Sequence, residues 1–214
     1  MIYIKEKPYK MAGRMFHIDD TVIFCGGKNS TSVSFGGDDF PIIAGPCTIE
    51  SEEQMVECAL EVKKSGASLL RGGAFKPRTS PYDFQGLGEE GLKYLSKAKE
   101  ITGLPTVSEI MDSSQLDMFF DVDVLQVGSK NMQNFQLLKA LAKSQKPVLL
   151  KHGFGTAVEE FLLAAEYILA YGNPNVILCE RGIRTFEKEI RFSLDISVIP
   201  LLRELTHLPV IVDP

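Results

Sequence analysis

The sequence predicts an α/β fold of the TIM-type (β/α)8 barrel class, apparently lacking the last helix-strand-helix, with an N-terminal β-hairpin in front of it. Three observations predict it. Short apolar, β-branched runs alternate with helical patterns along most of the chain. Those runs are apolar nearly throughout, as strands buried on both faces of a parallel sheet must be. Polar residues stand at the C-terminal end of almost every run, where barrels build their sites, and no GxGxxG follows the first run, which argues against an open doubly wound sheet.

In chain order, TVIFCGG (21–27) and TSVSFGG (31–37), joined through KNS, predict a β-hairpin that plugs the barrel floor. Residues 1–40 form an N-terminal extension and 41–214 the barrel. Its seven strands are PIIAGPC (41–47), SLLRGGA (68–74), LPTVSEI (104–110), DVLQVGS (123–129), KPVLLKHG (146–153), NVILCERG (175–182) and LPVIVDP (208–214). Each of the first six is followed by a polar or Gly-containing turn and then a helical pattern. SEEQMVECALEVKKSG carries Ser51 as N-cap with acidic residues in the first turn. TAVEEFLLAAEYILAYG has Thr156 as cap, a broad apolar face and Gly172 as stop. A barrel without its eighth strand leaves its first and seventh strands with unpaired edges, so a homo-oligomer is expected.

Composition narrows the partners. Of 214 residues, 44% are hydrophobic and 24% charged, and the net charge is −5 with no basic block, so neither nucleic acid nor anionic membrane is expected as a partner. No run of about eighteen apolar residues occurs, which excludes a spanning helix. The N-terminal MIYIKEKPYK lacks the pattern of a secretory signal, and the four cysteines form no CxxC pair. Reduced thiols and a cytoplasmic location are expected.

The strand ends collect Cys47, Arg71, Lys76, Arg78, Thr79, Glu109, Lys130, Lys151, His152, Glu180 and Arg181. A mouth this cationic in an acidic protein implies an anionic substrate, since guanidinium forks and ammonium groups grip phosphate and carboxylate by charge-assisted hydrogen bonds. The segment RGGAFKPRTSP (71–81) is the most informative. Gly72 and Gly73 permit close backbone approach, Pro77 stiffens the link between Lys76 and Arg78, and Thr79 and Ser80 add hydroxyl donors. Glu109 is read equally well as a contact for water or substrate and as the partner of a neighbouring cation. His17, His207, Cys25, Cys58 and Cys179 are expected to be packing or capping residues.

RGGAFKPRTSP, with AGPCTIE (44–50), QGLGEEGL, CERGIRTFE (179–187) and LPVIVDP, resembles the compact class of 3-deoxy-heptulosonate 7-phosphate synthases. The resemblance runs from about residue 8 to the last residue. It implies condensation of phosphoenolpyruvate with erythrose 4-phosphate, the first step of the shikimate pathway to aromatic amino acids, with a divalent metal ion (Mn, Fe, Zn or Co) bound. By motif, Cys47 would be a metal ligand. Arg71, Lys76, Lys151 and Arg181, helped by the Gly128–Lys130 turn with Ser129, would bind phosphoenolpyruvate. Arg78 and Thr79 would hold the aldose phosphate, and Lys76 would serve proton transfer. Two positions depart from the family pattern: Lys130 stands where the family has arginine, and KHG replaces KRG, giving His152, expected to be a tolerated neighbour of Lys151. The family's remaining metal ligands are expected beyond Pro214. Two alternatives are the sister 3-deoxy-octulosonate 8-phosphate synthase, against which the KPRTSP loop argues, and a non-catalytic barrel that binds phosphate ligands.

Overall fold

The computed structural model describes residues 7–27 and 30–214; residues 1–6, and residues 28 and 29 within the KNS join of the hairpin, lie outside the described residues. Two short strands, β1 (Ile23–Cys25) and β2 (Val33–Phe35), pair antiparallel with Phe24 opposite Ser34. Seven parallel strands follow: β3 (Ile43–Ala44), β4 (Leu69–Arg71), β5 (Thr106–Glu109), β6 (Val124–Val127), β7 (Val148–Lys151), β8 (Val176–Glu180) and β9 (Val210–Val212). They neighbour one another in sequence order, so each connection is a single βα step around a curling sheet. Among the described residues β3 and β9 share no ladder, and a cavity of about 880 Å³ opens along these two edges.

Among the described residues five α-helices cover the outside: α1 (Glu52–Lys64), α2 (Glu89–Thr102), α3 (Phe135–Ser144), α4 (Val158–Ala170) and α5 (Val198–Leu205). After β5 the expected helix is replaced by a 3₁₀ segment, Ser113–Phe119, capped by Asp112. Ser51 caps α1 as expected, accepting from the Gln54 N–H at 3.1 Å. The start of α4 differs from expectation. Ala157 is the N-cap, its N–H held by Glu160 at 2.8 Å, while the Thr156 hydroxyl turns to the Gly153 carbonyl at 3.4 Å.

Strand alternation sorts the core into two layers. One face sends Leu70, Leu125, Val127, Leu150 and Leu178 against the helices. The other sends Leu69, Val107, Val124, Leu149, Ile177 and Cys179 into the barrel, where they meet Ile23, Cys25 and Phe35 of the hairpin. Thr21 N–H donates to the His207 carbonyl and Thr31 N–H to the Gly103 carbonyl, which fastens the hairpin to the loops ahead of β9 and β5. The hairpin therefore closes the floor, beneath an apolar layer. The next inward positions up each strand are Arg71, Glu109, Gln126, Lys151 and Asp213, so the interior changes from apolar to charged within one step of alternation.

Candidate active site

The site is built on strand ends. Gly45, after β3, runs at φ +145°, and a Cβ there would lie 2.0 Å from the Arg71 carbonyl oxygen. Only glycine lets β3 and β4 approach this closely before the chain turns to Cys47. The Lys76 ammonium, 8% exposed, donates to the Cys47 carbonyl at 2.9 Å. The loop beyond it is tied at its base, with Lys76 N–H donating to the Gln85 carbonyl and Gly88 N–H to the Ala74 carbonyl, each at 2.9 Å. Arg78 and Thr79 stand exposed at its tip, and Arg78 Nε donates to the Phe84 carbonyl at 2.9 Å.

Across the mouth, Lys130 reaches back to this loop, donating to the Pro77 carbonyl and to Thr79 Oγ1, both at 3.2 Å. The Lys151 ammonium donates to Asp213 Oδ2. Arg181 packs its guanidinium carbon 4.7 Å from the Phe154 ring centre and 4.1 Å from that of Phe192. Its Nε and Nη1, and the Ser129 hydroxyl, are buried with no hydrogen-bond partner. Buried donors left unsatisfied cost about 1–3 kcal/mol each. The turn after β6 and the end of β8 thus present buried donors with no acceptor among the described residues.

The electrostatics show which groups face one another. Burial pushes the Glu109 carboxyl above its ordinary range, against the pull of Lys76, Lys151, Arg71 and Lys130. Burial also raises the Cys47 thiol, but the Lys76 ammonium, its hydrogen bond and the Arg71 guanidinium bring it below its ordinary value. For Asp213 burial is outweighed in the same way by the Lys151 hydrogen bond and by the charges of Lys151, Arg71 and Arg181. Arg71, Lys76, Lys130, Lys151 and Arg181 therefore share one space with two carboxylates, leaving excess positive charge for a multiply charged anion.

Of the strand-end residues, Arg71, Lys76, Glu109, Lys130, Lys151 and Arg181 face one space, Arg78 and Thr79 stand at the exposed loop tip, and two face elsewhere. His152 and Glu180 point away from the mouth into the wall: they bond to each other and are buried against α4. Asp213 and Gln126 belong to the site and were not singled out in the sequence. Period-two alternation through β6 and β9 is the signal that places them there. His207 packs as expected, bonded to Thr21 Oγ1 and the Met11 carbonyl. Cys25 and Cys179 are buried, their thiols pushed up to about 12.

Among the described residues no three His, Cys, Asp or Glu side chains converge as a metal-binding group. Cys47, exposed and with a lowered thiol, offers one soft ligand. The donor set present here does not by itself fit a metal ion.

The model of the DAHP synthetase I family matches residues 18–214. The chain belongs to that family. It is 51% identical over 209 residues to a Thermotoga maritima phospho-2-dehydro-3-deoxyheptonate aldolase, a match covering 97% of this chain and 60% of that protein. The crystal structure of phospho-2-dehydro-3-deoxyheptonate aldolase (DAHP synthase) from Thermotoga maritima superposes with a TM-score of 0.89 at 49% identity, over 97% of this chain and 59% of that one. A Pisum sativum 2-dehydro-3-deoxyphosphooctonate aldolase is 37% identical over 153 residues, 68% of this chain and 53% of that protein. The chain spans about 60% of the length of the Thermotoga relative. Among the described residues no helix is long and apolar enough to cross a membrane.

Proposed function

We propose that this chain carries the substrate cradle of a synthase that condenses phosphoenolpyruvate with erythrose 4-phosphate to 3-deoxy-D-arabino-heptulosonate 7-phosphate, opening the shikimate route to aromatic amino acids. The observation that carries the proposal is the three buried donors of Ser129 and Arg181 that have no partner among the described residues. They border a mouth whose cations outnumber its carboxylates, in a chain of this family. Arg71, Lys76, Lys151, Arg181 and the Ser129–Lys130 turn hold phosphoenolpyruvate, and Arg78 with Thr79 holds the phosphate of the aldose.

The enol carbon C3 attacks the aldehyde carbon, forming the new C–C bond, and the aldehyde oxygen takes a proton to become a hydroxyl. Lys76, buried beside the Cys47 carbonyl, is the proton donor for that oxygen. Water adds at C2, and its proton passes to Glu109, the buried carboxylate that faces Lys76, Lys151 and Arg71. The C2–O bond to the phosphate then breaks as the C2 hydroxyl gives up its proton, leaving a C2 ketone and inorganic phosphate, and the proton taken by Glu109 replaces the one that Lys76 gave. The surrounding cations hold the reacting groups in place and stabilise charge as it moves.

Divalent-metal dependence is part of the proposal, with Cys47 as the one soft ligand among the residues of this site. So are a homo-oligomeric state and a cytoplasmic location. The test is to incubate the protein with manganese, phosphoenolpyruvate and either erythrose 4-phosphate or a five-carbon aldose 5-phosphate, following loss of enol absorbance. Faster consumption with the four-carbon aldose is expected. Preference for the five-carbon aldose, which gives an eight-carbon product, would replace this reading with the sister reaction.

A further inference from the structure

The His152 imidazole is 2% exposed, and both of its ring nitrogens meet acceptors. Nδ1 lies 2.7 Å from Glu180 Oε2 and Nε2 lies 3.1 Å from the Thr156 carbonyl oxygen. The ring stacks on Phe161 of α4, centres 4.5 Å apart and planes 12° from parallel. Glu180 is fully buried, and its other oxygen, Oε1, accepts from the Gly182 N–H at 2.8 Å. A carbonyl cannot donate, so Nε2 must carry a proton. A second proton must lie between Nδ1 and Oε2, because otherwise two lone pairs would face each other at that distance. The pair therefore holds two protons and no net charge, whichever partner keeps the second.

These bonds grip the chain directly after Lys151 and on both sides of Arg181. Lys151 directly precedes His152, and Arg181 lies between Glu180 and Gly182, both fixed by one carboxylate. The His152 N–H also donates to the Cys179 carbonyl at 2.9 Å. We propose that His152 is a positioning residue: with Glu180 it forms a buried two-proton clamp that sets Lys151 and Arg181 at the separation a phosphorylated enol acid requires, without touching that ligand. The choice of ligand rests on the function proposed above.

The clamp makes affinity depend on pH. Losing one of the two protons sets a lone pair against either the Thr156 carbonyl or the Glu180 carboxylate, and the 152–156 turn loosens. Among the described residues, Glu180 of β8 is the ionisable group bonded to His152. Packed around them, α4 presents Phe161, with Glu159 and Glu160 in its first turn, Glu160 being tied to Ala157 N–H and Gln133. The turn after β6 presents the Met132 sulfur, which accepts from Gly153 N–H. On β7 the Lys151 ammonium is engaged with Asp213, and beyond β8 the Arg181 guanidinium lies on Phe154 and Phe192.

The experiment is calorimetric titration of phosphoenolpyruvate into wild type, His152→Arg and His152→Gln from slightly acidic to mildly alkaline pH. It is paired with ¹⁵N NMR of the histidine rings. In wild type, a proton on Nε2 and a second in the Nδ1–Oε2 bridge are expected, and binding weakens on the order of tenfold as one is lost. His152→Arg, with a permanent charge, binds tightly without that alkaline loss, while His152→Gln is about tenfold weaker throughout. The difference from His152→Arg removes the ligand's own ionisation. His152→Gln binding like wild type, or His152→Arg keeping the alkaline loss, overturns the clamp. If either variant fails to fold, an unprotonated Nε2 in wild type at neutral pH overturns it alone. Wild type that binds no phosphoenolpyruvate at any pH overturns the proposed function instead. The ring protonation and the pH dependence of amide exchange at Gly153 and Gly182 then decide the clamp separately.

Discussion

Replacing Gly128 by alanine perturbs the site through a single contact whose size the structure supplies. Gly128 has φ −67° and ψ 156°, a conformation alanine adopts freely, so no backbone strain enters. The added Cβ would lie 2.0 Å from Glu109 Oε1 and 2.9 Å from its carboxyl carbon, where ordinary contact begins near 3.4 Å. Glu109 is buried, accepts from Gln126 Nε2 at 3.4 Å and is surrounded by cations, so it has little room to retreat. Overpacking of this kind costs about 1–3 kcal/mol. For a chain of this size that lowers the melting temperature by roughly 2–10 °C. Because the displaced carboxylate moves among the cations meant for substrate, phosphoenolpyruvate affinity should fall about tenfold in the same variant. Thermal unfolding by circular dichroism and calorimetric titration read the two effects. Glu109→Ala removes the obstacle, so Gly128→Ala and Glu109→Ala combined should show a coupling of at least about 1 kcal/mol. Additive losses, or a Gly128→Ala protein melting with wild type, would refute the steric argument.

Lys130→Ala removes two bonds to the Pro77–Thr79 segment from an exposed side chain. Steady-state kinetics should show KM rising several-fold for both substrates, and calorimetric melting should show no loss of stability. Cys47 should react with iodoacetamide along a pH profile centred below the ordinary thiol range, and Lys76→Met should move that profile up; Cys25 and Cys179, held near 12, should stay unmodified in the folded protein. The lowered Asp213 carboxyl contributes stability that is fully present above the unfolded carboxylate value and is lost as pH falls through its depressed folded value. Asp213→Asn should therefore unfold at lower urea than wild type at neutral pH, with the gap closing on acidification; a gap that stays constant to low pH would contradict the pairing with Lys151.

The strands β5 to β8 were legible because every residue in them is buried, which favours largely apolar runs, and the partly buried edge strands β3 and β9 keep the same apolar pattern. The floor hairpin was legible from its two β-branched runs and flanking glycines. What the sequence hid depends on which wall of the barrel a residue meets. Lys151 and His152 are neighbours in a motif that reads as uniformly cationic, yet one points into the mouth and the other into the layer beneath α4. Sequence position at a strand end carries no sign of that difference unless the alternation is followed through to the last residue. Asp213 was missed for the same reason, and after β5 a 3₁₀ segment stands where a helix was expected. Lys130 shows a further limit. The substitution was visible, but the partner it finds in the 77–79 segment is a tertiary contact that only the fold creates.

The central claim is that Arg181 and Ser129 keep buried donors open for phosphoenolpyruvate. Its most direct test is calorimetric titration of phosphoenolpyruvate into wild type and Arg181→Ala in phosphate-free buffer. The account predicts saturable one-to-one binding by wild type, weakened at least about a hundredfold in Arg181→Ala, as expected for removal of a buried charge that grips an anion. Equal binding by the two proteins, or no binding by wild type, would contradict it.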